Sequence, residues 1–187
     1  MEILHAALAT VREKGYHATT LEDIAERLGV RKTALYHYFP DKDSILYACH
    51  QESLAELDRM IAESANCCTS ARERLAYLIN EHVRVMTDEL EGSPLAFEVP
   101  ALSDERRVEI IAGRDRYEHV LRDIVTDGVD SGEFRQVDAK IAVFAILGAI
   151  NWIARWYRPE GQAHAKELGS QFADYLLGGL IAEAPLN

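Results

Sequence analysis

Residues 19–46 read TTLEDIAERLGVRKTALYHYFPDKDSIL, and the punctuation of this stretch decides the fold. Thr20 can cap a helix. Asp23, three residues on, completes a capping box and places a carboxylate in the first turn. Leu21, Ile24, Ala25 and Leu28 recur at helical spacing, and Gly29 supplies the left-handed residue that ends the helix. After a turn of about four residues a second short helix opens, with Ala34, Leu35, Tyr38 and Phe39 apolar and Pro40 and Asp41 as its stop. Two short helices joined by a tight Gly-containing turn make a helix-turn-helix, whose second helix enters the major groove of DNA. Lys32, Thr33, Tyr36, His37, Tyr38 and Lys42 can all donate hydrogen bonds, and phosphate oxygens only accept them. Polar residues on a short amphipathic helix are usually solvated and nothing more. Here capping, turn, spacing and donor density agree.

The stretch from about Ile3 to Cys49 resembles the DNA-binding head of the TetR family of transcriptional regulators. Its most specific piece is TALYHYFPDKDSIL, which follows the family pattern L-Y-x-[HY]-F-x-[SD]-K-[DE]-x-[LI]. The resemblance implies a third helix before the motif. Ile3, Leu4, Ala7, Leu8 and Val11 supply its apolar face and Gly15 its stop. By position it implies that Lys32, Thr33 and Ala34 face bases, that Tyr36, Tyr38 and Lys42 hold phosphates, and that His37 touches backbone or a thymine methyl. Arg31 departs from the pattern, since the family usually caps this helix with Ser or Thr. An Arg cannot accept from the free backbone donors, which weakens the cap by about 1 kcal/mol, though it can add a phosphate contact. The sequence opens almost inside the first helix, ahead of which the family often has a basic arm reaching the minor groove.

At 187 residues the chain holds one or two domains and a real core. Its net charge of −11 is unusual for a nucleic-acid binder, so distribution is the test. Residues 1–47 contain six Lys or Arg against seven Asp or Glu, so nearly all the excess acidity lies beyond the head. That balance excludes an extended nucleic-acid coat and permits a local, two-headed grip. No run reaches the roughly 18 unbroken apolar residues of a membrane span, and the N-terminus lacks the pattern of a signal peptide, so a cytoplasmic location is expected. The three cysteines, Cys49, Cys67 and Cys68, suit a reducing compartment and read as ordinary thiols. The seven histidines form no His-x-x-x-His pair, and neither a metal nor a cofactor is expected.

Beyond the head the pattern is helical throughout. One helix is expected from Asp43 to about Ala65, linking head to body. Another runs from Ser70 to about Glu91 through Leu75, Leu78, Ile79, Val83, Met86 and Leu90, ended by Gly92, Ser93 and Pro94. A third runs from Ser103 to about Asp130, stopped by Ser131 and Gly132. No strand pattern appears. Asp138 to about Tyr157 is apolar nearly all round, and a helix apolar on every side is buried on every side. In a chain this small a second subunit is the natural cover. A last helix, about Ala163 to Ile181, carries Leu168, Phe172, Leu176 and Leu180. Two such helices from each subunit make a four-helix bundle, and a two-fold dimer matches a pseudo-palindromic operator. An ordinary monomeric core is the alternative.

The run GAINWIARWYRPEG, Gly148 to Gly161, resembles a segment of TetR-family regulators of fatty-acid, aromatic-acid and steroid degradation. That resemblance implies a coenzyme A thioester or a related lipophilic acid derivative as small-molecule effector. Asn151, Arg155 and Arg158 place polar groups on an otherwise apolar helix, and a buried Arg needs an anionic partner. A ligand carboxylate or phosphate would supply one, and so would a protein Asp or Glu. The expected pocket residues are His82, Met86, Phe97, Tyr117, Leu121, Phe144, Asn151 and Arg155. No Gly-rich phosphate loop, nucleophile elbow or paired nucleophile and base is present, so no catalytic residues and no enzyme are expected. The reading is an all-α chain, with a three-helix helix-turn-helix head (1–47) and a helical ligand-binding and dimerisation body (48–187). The function expected of it is that of a ligand-responsive repressor on double-stranded operator DNA. The alternative is a helical protein–protein adaptor, which leaves the donor-rich helix unexplained.

Overall fold

The computed structural model describes residues 2–89, 97–158, 161 and 165–181. The head contains α1 (Glu2–Lys14), α2 (Leu21–Leu28) and α3 (Lys32–Tyr38), followed by the long α4 (Lys42–Cys67). Local chemistry sets each boundary. Thr20 and Asp23 form the capping box at the start of α2. Gly29 ends that helix at φ 66°, a left-handed conformation that costs a residue without Cβ little. Arg31 stands at the cap of α3 with no side-chain cap bond. Asp41 and Ser44 form a second capping box at the start of α4.

Apolar residues of the first four helices, among them Leu8, Val11, Ile24, Leu35 and Leu46, make one buried cluster. Val99, Leu102 and Ile110 of the body complete it. Head and body are tied by polar contacts too. Asp43 accepts from the Ser103 backbone N–H at 3.0 Å and from Arg106 at 2.7 Å. Tyr47 donates to Glu109 at 2.5 Å. These bonds fix the start of α6 (Asp104–Asp130) against the first turns of α4.

In the body, α5 (Ala71–Arg84) presents Leu75, Leu78, Ile79 and Val83 to a second buried cluster with α6, α7 (Ala139–Asn151) and α9 (Ala165–Gly178). A Cβ on Gly128 would overlap the ring of buried Phe134, so this Gly lets the chain fold back beneath α6. No strand occurs among the described residues, and one isolated antiparallel bridge joins Phe134 to Ile181.

Two elements differ from expectation. The helix of α5 gives way at Val85–Glu89 to a π turn, one backbone bond wider than the α pattern. The residues expected to end it, Gly92, Ser93 and Pro94, lie outside the described residues. The apolar helix expected from Asp138 to Tyr157 is two helices, α7 and α8 (Ile153–Trp156), broken at Trp152. There the bonding tightens, with Trp152 accepting from Arg155 three residues on. The turn keeps Ile150 and Ile153 both in the core while Trp152 points outward. The stretch Ala139–Trp156 has the length and composition of a membrane span, with mean hydropathy 1.3, but Val143, Ile146 and Ile150 face the protein core.

Candidate functional site

Two surfaces carry chemistry. The first is α3. Leu35 anchors this helix in the head core, and Arg31, Lys32, Thr33, Ala34, Tyr36, His37 and Tyr38 are all exposed around it. The Lys32 ammonium pairs with Glu22 and lies 5.2 Å from the centre of the Tyr36 ring. His37 and Tyr38 stack edge to face at 5.4 Å. The helix therefore shows solvent a compact strip of donors and aromatic edges on a short rigid element.

Lys42 is different. Its ammonium donates to the backbone carbonyls of Tyr16 at 2.8 Å, His17 at 3.3 Å and Thr19 at 3.1 Å, and lies 4.3 Å from the centre of the Tyr16 ring. An ammonium has three donors, and all three are engaged inside the head. The residue expected to hold a phosphate thus lies beneath the α1–α2 turn, whose carbonyls have left the helix and need partners.

The second surface is a cavity of about 180 Å³ where head and body meet. Leu8 of α1 lines it, with Cys49, His50, Ser53 and Leu57 of α4. His82 of α5, Met86 of the π turn and Phe97 form another side, and Arg114 and Tyr117 of α6 with Leu147 and Asn151 of α7 close it. Five of the expected pocket residues thus come together: His82, Met86, Phe97, Tyr117 and Asn151.

Three do not. Leu121 is fully buried in the core of the body. Phe144 is 50% exposed on the outer face of α7, with the Arg122 guanidinium 5.6 Å from its ring centre. Arg155 is exposed, its guanidinium 4.4 Å from the centre of the Phe97 ring, so it reaches the cavity wall from outside. The polar groups that sequence reasoning missed are His50 and Arg114. Both stood at inward positions, His50 four residues after Leu46 on α4 and Arg114 between Ile110 and Tyr117 on α6. An Arg at such a position carries no apolar signal that would mark it as inward.

The electrostatics of the cavity follow from burial. The Tyr117 hydroxyl lies 3.3 Å from His82 Nδ1, and the two rings meet edge to face at 5.4 Å. Burial, and then the nearby charge of Arg114, pull His82 down to about 4. The same two causes pull His50 down to about 3. Burial pushes the Tyr117 phenol up and draws the Arg114 guanidinium below its ordinary value. The Cys49 thiol is pushed up to about 12 by burial first and Glu52 second, so it stays protonated and inert. Near neutral pH both histidines are uncharged, and Arg114 is the ionised group among the described lining residues.

Comparison with known proteins follows the same division. Residues 3–49 match the family described as bacterial regulatory proteins, tetR family. Residues 68–180 match the tetracyclin repressor-like C-terminal domain. The TetR-family regulator PfmR from Thermus thermophilus is 36% identical, with TM-score 0.85 over 95% of this chain and 97% of its own. The structure of the ketosteroid transcriptional regulator KstR2 from Mycobacterium tuberculosis superposes with TM-score 0.88 over 97% of this chain and 94% of its own, at 26% identity. The Bacillus subtilis regulator FadR, solved with stearoyl-CoA, is 27% identical with TM-score 0.75, over 96% of this chain and 98% of its own.

Proposed function

The chain belongs to the TetR family of bacterial regulatory proteins, and on that premise we propose that it is a cytoplasmic, dimeric repressor released from its operator by a lipophilic coenzyme A thioester. The observation that carries this reading is the position of the cavity. Its wall includes Leu8 of α1 and His50 of α4, so whatever fills it touches the head and the helix that links head to body. Residues 1–47 read the operator and residues 48–187 bind ligand and partner, with the division falling inside α4. The FadR structure, with its bound stearoyl-CoA, supports the ligand class, and the relatives are regulators rather than enzymes.

At the operator, Lys32, Thr33 and Ala34 meet base edges, while Arg31, Tyr36, His37 and Tyr38 hold the backbone on either side. Dimerisation uses the outer face of α7 and α9. Ile141 is 62% exposed and Tyr175 82%, and both line an apolar trough of about 550 Å³ with Ala142, Ala145 and Leu176. A second copy of this face covers it, and two heads then read half-sites about 34 Å apart. One head reads half a site.

The size of the cavity supports one way for a thioester to sit. A cavity of about 150 Å³ takes a benzene-sized guest, so 180 Å³ holds an acyl group and excludes coenzyme A itself. The acyl carbons enter, each methylene contributing about 0.8 kcal/mol. The phosphates remain outside, where Arg155 stands beside Phe97. A longer chain has to part α1 and α4 from α6 and α7. The parting moves the heads away from the separation that DNA selects. Selection of a binding sequence from random duplexes tests the DNA half of this reading: a pseudo-palindrome with half-sites one helical turn apart is expected. Failure to retain any duplex against competitor DNA contradicts it.

A further inference from the structure

We infer that the carboxamide of Asn151 holds the carbonyl oxygen of the thioester at the neck of the cavity, so that the protein selects thioesters over other coenzyme A derivatives. The inference rests on the thioester reading above and assigns a residue to the functional group that defines this ligand class.

Most polar groups on the cavity wall are engaged with one another. Tyr117 meets His82 Nδ1 at 3.3 Å, and Arg114 meets His50 Nδ1 at 3.4 Å. The Cys49 thiol is buried and stays protonated. Among the described lining residues that leaves Ser53 of α4 and Asn151 of α7, whose side chains have no hydrogen-bond partner among the described residues. Both are half-buried, and neither contributes a fully buried polar atom without a partner, so a guest in the cavity can reach them. Leu147, one turn before Asn151 on the same face of α7, also lines the cavity. A single methylene joins the Asn151 amide to the backbone, so the amide is what this residue presents on that face.

Position separates the two side chains. Ser53 stands in the middle of the α4 wall, between Cys49 and Leu57. Asn151 is the last residue of α7, and the turn that follows carries Arg155, exposed and 4.4 Å from the centre of the Phe97 ring. Within one turn the chain passes from the cavity wall to the outer side of Phe97. In an acyl-CoA the carbonyl carbon is the first atom beyond the sulfur. With the acyl carbons inside and the phosphates outside, that carbonyl lies at the crossing, beside Asn151. A carbonyl only accepts, and the amide NH2 has two donors to give. A thioether in the same place leaves the amide without its partner, and sites built to hydrogen-bond a ligand group reject the analogue that lacks it.

The test compares the binding of hexanoyl-CoA with that of S-hexyl-CoA, a thioether with the same carbon count and no carbonyl. The wild-type protein should bind hexanoyl-CoA about tenfold tighter. Asn151→Leu should bring the two probes level. Asn151→Asp, which turns carboxylate oxygens toward the carbonyl, should weaken hexanoyl-CoA more than S-hexyl-CoA. Ser53→Ala should keep the preference. Equal binding of both probes by the wild-type protein overturns the inference and leaves the thioester reading standing, as does a full preference surviving in Asn151→Leu. A preference lost in Ser53→Ala and kept in Asn151→Leu moves the contact to α4 and overturns it as well. Binding of neither probe overturns both readings. Should Asn151→Leu fail to fold, Asn151→Ala decides in its place.

Discussion

Replacing Lys42 by Met separates two roles that a lysine at this place can have. The structure gives its ammonium three backbone carbonyls, at 2.8, 3.3 and 3.1 Å, and the face of Tyr16. A hydrogen bond from a charged donor contributes about 1.5–3 kcal/mol. Three do not add to that sum here, because the His17 carbonyl is exposed and water replaces part of what is lost. Met keeps the apolar stem against Tyr16. A net loss of about 2 kcal/mol follows, most of it from the part-buried Tyr16 and Thr19 carbonyls. For a chain of this length that lowers Tm by about 4–8 °C. Amides of the α1–α2 turn should exchange faster with solvent. The salt dependence of operator binding, measured well below Tm, should be unchanged. A phosphate contact predicts the reverse: unaltered Tm, and a slope of log K against log salt smaller by about 0.9 per contact. An unaltered melting curve with a slope reduced by about two for the dimer would refute the structural role.

Three further outcomes follow from packing and charge. Gly128→Ala should lower Tm by about 2–12 °C, since overpacking against the Phe134 ring costs about 1–3 kcal/mol; an unchanged melting curve would show that the ring has room to move. Stability should fall as the pH is lowered from about 6.5 to about 4. His82 and His50 are held neutral in the fold, at about 4 and about 3, so the unfolded chain binds the extra protons first, and the stabilisation is fully present only above the unfolded value. Each histidine contributes at most about 1.4 kcal/mol per pH unit in that window, and His82→Phe should flatten the curve of urea midpoint against pH. Phe144→Glu and Ile141→Glu place charge on the open face of α7 and should give monomers by sedimentation, with operator binding lost; dimers in both variants would place the interface elsewhere.

Local chemistry explains what the sequence revealed. Thr20, Asp23 and Gly29 act on backbone within four residues of themselves, so the helix-turn-helix was readable from spacing alone. The contacts of Lys42 were not, since its three acceptors lie more than twenty residues earlier and become acceptors only once the α1–α2 turn has formed. The break at Trp152 carried no Gly or Pro to mark it. Packing of Ile150 and Ile153 on the same core decides it. In the cavity, the aromatic and apolar members His82, Met86, Phe97 and Tyr117 were visible as large residues on inward positions. Arg114 held an equally inward position between Ile110 and Tyr117, but an Arg carries no apolar signal that would mark it. Arg155 was expected among the pocket residues because its helix is apolar on most sides, but that helix turns the face bearing Arg155 outward.

The measurement closest to the central claim is operator affinity as a function of thioester. A fluorescent duplex carrying the selected operator is titrated with the protein, first alone and then with saturating stearoyl-CoA, hexanoyl-CoA, 5-oxohexanoyl-CoA or free coenzyme A. Ligand and operator are coupled through the cavity wall at Leu8 and His50, and a coupling of about 1–3 kcal/mol weakens operator binding roughly 5- to 150-fold. At least one thioester should produce that loss while free coenzyme A leaves the affinity unchanged. Operator affinity that is the same with every thioester, in a protein shown by melting to bind one of them, would contradict the account.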